Sequence, residues 1–349
     1  MIPTGTGSAG TAGAAVHAAL LARLHLQITR RLDGLLQGDY LGLLPGPGSE
    51  AGESREYRPG DDVRRMDWPV TARTTVPHVR LTEADRELET WLAIDASASL
   101  DFGTARMRKW DLALAAAAAM THLTVRGGNR VGAVICTGGA IRRVPARSGR
   151  RGAQALMHAV ANLEPQPGRA DLGELLDGLL RPPRRRGLIV VISDFLPGSA
   201  CASRQEFGQA TEPWQRPLAR LGVRHDLLAV EVVDPRELEL PPVGVLEVVD
   251  PETGQVHEVD VDERLAGAYA RAAAAQRAEV AAALRSAGAA HLRLSTDRDW
   301  LLDIVNFVAA RRGRRRMSAR VKNQECSQPG SHGRGPAGAP SVRPVVAAP

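Results

Sequence analysis

The chain has 349 residues, 44% hydrophobic but only 3% aromatic, so it can bury a core of Ala, Val, Leu and Ile in one large domain or two modest ones. Net charge is +6, unevenly placed: residues 311–349 hold nine Lys/Arg and one Asp/Glu (+8), leaving 36 basic and 38 acidic groups (−2) in residues 1–310. Only Lys109 and Lys322 are lysines among 45 basic residues, so arginine is a compositional default, and its abundance is no argument for nucleic acid.

In chain order, MIPTGTGSAGTAG (1–13) has the composition of a disordered segment and lacks the charged and apolar regions of a signal peptide. Val16, Leu20, Leu24, Ile28, Leu32 and Leu35 form the apolar stripe of an amphipathic helix over 14–36. After the loop PGPGSEAG comes a dense polar block, SREYRPGDDVRRMDWPVTART (54–74). Its alternating Arg and Asp side chains can form a network of bidentate ion pairs. Such a network is either a structural clasp or a partner-docking surface, and Trp68 within it is either a core anchor or a binding hot spot, with the buried anchor expected.

From about residue 87 strands and helices alternate. LETWLAID (88–95) reads as a strand, followed by a helix capped by Thr104 that runs through Met107, Trp110, Leu114, Ala117 and Met120 to Gly127-Gly128. RVGAVIC (130–136) is a second strand, and the tight TGG lets AIRRV fold back antiparallel. Helical spacing returns over 150–163, 171–181 and in WQRPLARL. GLIVVISD (187–194), HDLLAVEVV (225–233) and AHLRLS (290–295) are further strands. A β-hairpin around PETG is inserted at 243–261, an Ala-rich helix follows over 262–287, and a last helix starts near Thr296. Residues 313–349 read as a disordered basic tail. The pattern predicts a doubly wound, mostly parallel six-stranded sheet over 87–312, preceded by a helical and loop extension over 14–86.

Three distant cysteines (Cys136, Cys201, Cys326) fit a reduced, cytoplasmic protein, and LALAAAAAM is too short to span a bilayer. No phosphate-binding glycine loop, Walker A sequence, nucleophile elbow or Cys/His cluster occurs. In an open α/β sheet ligands bind beyond the carboxyl ends of the strands. Asp95 and Asp194 both stand at such ends, and Ser97 and Ser99 follow Asp95 at two-residue spacing. One carboxylate and two hydroxyls offer a half-shell for a hard cation. Each aspartate taken alone also reads as the cap of its own turn.

DASAS (95–99) resembles the D-x-S-x-S motif of von Willebrand factor A domains. The resemblance implies a metal-ion-dependent adhesion site in which Asp95, Ser97, Ser99 and Asp194 hold Mg²⁺ or Mn²⁺. A family threonine is replaced by Ala170 in GRADLGELL, which predicts weak or absent binding. The block carrying Arg55, Tyr57, Gly60, Asp61, Asp62, Arg64, Asp67, Trp68, Ala72, Arg73 and Thr74 resembles the bacterial domain-of-unknown-function family fifty-eight, as do DPRELELP (234–241) and DPETG (250–254). That likeness implies a von Willebrand-like domain working as an adaptor or chaperone-like partner of a MoxR-type AAA+ ATPase on a protein client. A non-enzymatic, metal-dependent protein-binding module is therefore the expected function. The alternatives are a metal-dependent phosphoester or ester hydrolase built on Asp95, and nucleic-acid contact through the tail.

Overall fold

Strand β3 (Glu89–Asp95) stands at the centre of the molecule, hydrogen-bonded in parallel to β4 (Arg130–Thr137) on one side and β6 (Gly187–Ser193) on the other. The computed structural model describes residues 28, 31, 54–57, 63, 66–80, 88–163, 171–180, 186–196, 212–249 and 254–311. Of the expected elements, 1–13, most of 14–53 and the basic tail lie outside the described residues. With β7 (Asp226–Val233) and β10 (Ala290–Ser295) the parallel strands number five, and they stand in the order β10-β7-β6-β3-β4, with one more strand beyond β4. The outer strand β5 (Ala140–Arg147) is antiparallel to β4. Its two-residue turn is possible because Gly138 and Gly139 both take positive φ, 51° and 92°, as such hairpin turns require. This is the doubly wound, mostly parallel six-stranded sheet that the strand pattern predicts.

Alternation along the strands divides the core in two. Leu92, Ile94, Ala133, Ile135, Val190, Ile192, Val230 and Val232 face one layer, made of α2 (Lys109–Arg126), α3 (Gly149–Ala161) and the helix α8 at 300–311. Trp91, Ala93, Val134, Ile189, Val191 and Ala229 face the other, made of α4 (Leu172–Leu180), α5 (Gln215–Gly222) and α7 (Glu263–Ser286). Helix α2 is buried from Leu112 through Ala117, because a run of alanines lets its backbone lie close to the sheet. Ile28, at a helical position of the expected 14–36 stripe, is 1% exposed and joins the first core.

Between β7 and α7 lie a short turn of helix, α6 (Pro235–Leu238), and the expected hairpin, β8 (Gly244–Val249) paired antiparallel with β9 (Val256–Val261). Upstream of β3, β1 (Ser54–Glu56) pairs antiparallel with β2 (His78–Arg80), and α1 (Trp68–Thr74) lies between them in sequence. Two boundaries differ from expectation. Helix α2 begins at Lys109 rather than after Thr104, because Thr104 turns its backbone N–H and hydroxyl to Asp234 and caps nothing. The last helix begins at 300 rather than near Thr296, whose hydroxyl is also taken by Asp234. Among the described residues no helix is long and apolar enough to cross a membrane.

Candidate functional site

Adjacent parallel strands carry their following residues to the same edge of the sheet. Ile94 of β3 is level with Ile192 of β6, so Asp95 and Asp194 both arrive at the carboxyl edge. The Asp95 carboxylate accepts from Ser97 N at 3.0 Å and from Ser193 Oγ at 2.7 Å. The hydroxyls of Ser97 and Ser99 lie 2.9 Å apart, and Ser99 also bonds the Asp194 carboxylate. The four expected residues are therefore brought together. Burial, and then the neighbouring charge of Asp194, push Asp95 up to about 6. Just after Asp194 the backbone turns through Phe195 at φ 54°, a left-handed conformation that costs a non-glycine residue energy and is often kept at functional sites.

A further residue completes this centre. Lys109, the first residue of α2, is fully buried and places Nζ 2.8 Å from Asp194 Oδ2 and 2.5 Å from Glu237 Oε1. Burial opposes both ionised forms, yet the attraction holds Lys109 above its ordinary pKa and Asp194 below. Glu237, where burial weighs most, is shifted upward. Glu237 is itself fixed: its other oxygen accepts from Asp234 N at 3.1 Å, closing a capping box at the start of α6. Asp234 in turn accepts from Thr104 N, Thr296 Oγ1 and Arg236 N at 2.9, 2.7 and 3.0 Å.

Arg277 of α7 locks the far side. Its Nη1 donates to the Asp194 carbonyl at 2.7 Å and to Glu231 Oε1 at 3.0 Å. Glu231, wholly buried, is also bonded by His291 and Arg293.

Sequence reasoning did not single out Lys109, Glu237, Arg277, Glu231 or Asp234. A signal for the first was present. A chain that writes arginine 43 times and lysine twice has a reason to place a compact ammonium at 109.

The donor set does not fit a divalent ion as its resemblance implies. Asp194 has one oxygen on Lys109 and the other on Leu196 N at 3.1 Å. Both Asp95 oxygens accept from protein donors, and the two serine hydroxyls are bonded to each other. Ala170 lies outside the described residues. Asp194, expected as a metal ligand, is bonded here to the Lys109 ammonium.

In the upstream block, Asp67 is 3% exposed and caps α1, its Oδ1 accepting from Val70 N at 3.3 Å. Trp68, expected as a buried anchor, is instead 67% exposed, because it starts a helix with no buried residue of its own. Tyr57 is half-buried and its N–H bonds Pro77 O at 2.8 Å, while Arg73 is exposed on the last turn of α1. Arg55 is described as backbone paired with Val79. Gly60, Asp61, Asp62 and Arg64 lie outside the described residues, and with them most of the expected ion-pair network.

Against known proteins, residues 53–279 match the family model described as "Protein of unknown function DUF58". An uncharacterized protein of Mycobacterium tuberculosis is 55% identical over 297 residues, 84% of this chain and 90% of the relative. One from Mycobacterium avium is 47% identical over 172 residues, 49% of this chain and 94% of the relative. Among solved structures, the hypothetical protein BatB of Bacteroides thetaiotaomicron aligns at TM-score 0.40 and 15% identity, over 64% of this chain and 98% of that one. The von Willebrand domain of SpRpn10 aligns at TM-score 0.35 and 14% identity, over 63% and 95%. These scores are too low to add to what the sheet topology already shows. The family match, spanning the block, five of the six strands of the main sheet and most of α7, together with the near full-length mycobacterial relative, identifies this chain as a member of the DUF58 family.

Proposed function

We propose that this chain is a non-enzymatic protein-binding module of the cytoplasm, an adaptor or chaperone-like partner of a MoxR-type AAA+ ATPase acting on a protein client. The observation that carries this reading is Trp68. It is the largest apolar side chain in the upstream block, and it stands 67% exposed, with Val63 61% and Val76 41% exposed in the same stretch of chain. An exposed tryptophan flanked in sequence by exposed valines is the composition of a docking patch, since burying such a ring against a partner contributes more than most contacts. The ATPase is the partner that the sequence resemblance implies. No metal step is included, because the Asp194 carboxylate is engaged by Lys109.

The test uses the full chain and the purified MoxR-type ATPase of the same genome. Wild-type protein should retain the ATPase on a column, and Trp68→Ser should lose it without a change in melting temperature. Retention by Trp68→Ser equal to wild type would move the docking surface elsewhere. No retention by wild type with or without ATP would overturn the adaptor reading.

A further inference from the structure

We propose that Lys109 is a built-in cation of this sheet-edge centre, standing where a divalent ion would otherwise balance Asp194, so that the centre is complete without metal. The geometry is specific. The ammonium touches two carboxylates, Asp194 at 2.8 Å and Glu237 at 2.5 Å, and its side chain has no exposed surface through which to swing away.

Its position in the fold argues the same way. Lys109 opens an eighteen-residue helix. The first turn of a helix repels cations, because the unpaired N–H groups give it a partial positive charge. A lysine there is held by something stronger than helix preference, and the two carboxylates supply it. Both are fixed from behind. Glu237 is held by Asp234 N, and Asp194 by Leu196 N and, through its carbonyl, by Arg277. A divalent ion sharing Asp194 would face an ammonium across a single carboxylate in a buried setting, where like charges repel far more than in water. Lysine suits the place better than the arginine this chain otherwise uses, since a compact point charge can reach two carboxylates from within a packed core.

The inference is independent of which partner the protein takes. It is tested on the full chain labelled with [¹⁵N]lysine, in which Lys109 and Lys322 are the only lysines. In wild type, millimolar Mg²⁺ and EDTA should give the same melting temperature, and Mn²⁺ should leave the Lys109 Nζ signal unbroadened. A rise in melting temperature on adding Mg²⁺, or loss of the Lys109 signal to Mn²⁺, would overturn the proposal. Lys109→Met should acquire a melting temperature that rises with Mg²⁺. A folded Lys109→Met that stays indifferent to Mg²⁺ would also overturn it. Should Lys109→Met not fold, Lys109→Met/Glu237→Gln, which also removes the surplus carboxylate, is read the same way, and the wild-type arm decides by itself.

Discussion

Lys109 Nζ lies 2.8 Å from Asp194 Oδ2, with the two side chains 0% and 3% exposed. Two charges have been taken out of water together, and the polar groups left around them, Glu237 beside the ammonium and Leu196 N and Ser99 beside the carboxylate, belong to the protein rather than to solvent. Removing one leaves the other buried and uncompensated, at a cost of about 3–5 kcal/mol. Lys109→Met is therefore expected to lower the unfolding free energy by about 3 kcal/mol in urea titrations near neutral pH. Lys109→Arg should restore only part of the loss, since a planar guanidinium needs more room than an ammonium. A Lys109→Met protein as stable as wild type would show that the pair is not buried as described.

Stability should also respond to pH through Asp95. Its pKa rises from 3.8 to about 6 on folding, first through burial and then through the charge of Asp194. The folded state thus holds this proton more tightly than the unfolded chain. Asp95 supports stability most at low pH, and its contribution declines as pH rises from about 4 to about 6. Asp194, whose pKa is lowered on folding, acts in the opposite sense: its contribution is present above 3.8 and is lost as pH falls below it. In Asp95→Asn the first effect disappears and the second remains. The stability of Asp95→Asn relative to wild type should therefore increase as pH rises through this window. Denaturant titrations at a series of pH values read this difference directly, and a constant difference would contradict the assigned shift.

The five tryptophans divide sharply by exposure. Trp91, Trp110, Trp214 and Trp300 are at most 9% exposed, while Trp68 is 67% exposed. Iodide should therefore quench one fraction of the native fluorescence and leave the rest. Trp68→Phe should abolish the quenchable fraction and change stability by no more than about 0.5 kcal/mol, as for an ordinary surface position. Persistent quenching in Trp68→Phe would place a second tryptophan at the surface.

Gly187 opens β6 opposite Glu89 of β3. A Cβ built there would stand 1.9 Å from the Glu89 carbonyl oxygen, well inside contact distance and against backbone rather than a movable side chain. Gly187→Ala is expected to destabilise the sheet by about 1–3 kcal/mol or more, as overpacking does. Thermal melting checks it, and an unchanged melting temperature would mean that β3 and β6 do not approach this closely.

Much of this architecture follows from local pattern. Continuous apolar runs such as GLIVVIS mark strands covered on both faces, the paired glycines 138 and 139 mark the antiparallel return, and PETG marks the hairpin. These signals lie within a few residues of the structure they specify, so the sequence alone is enough to read them. The meeting of Asp95, Ser97, Ser99 and Asp194 was legible for a related reason: strand-end position in a parallel sheet is a rule of the fold.

What only the tertiary structure decided is which charge each carboxylate meets. Lys109 and Asp194 are 85 residues apart, Lys109 and Glu237 128 apart, and Arg277 reaches Asp194 across 83. No periodicity couples positions so distant. Their encounter depends on how α2, α6 and α7 pack at the same edge of the sheet. Trp68 shows the same limit from the other side, because nothing local tells an apolar ring in a polar block whether a neighbouring element will cover it. Local sequence determined the elements and the strand-end oxygens. Packing determined that the cation among them is an ammonium of the chain itself.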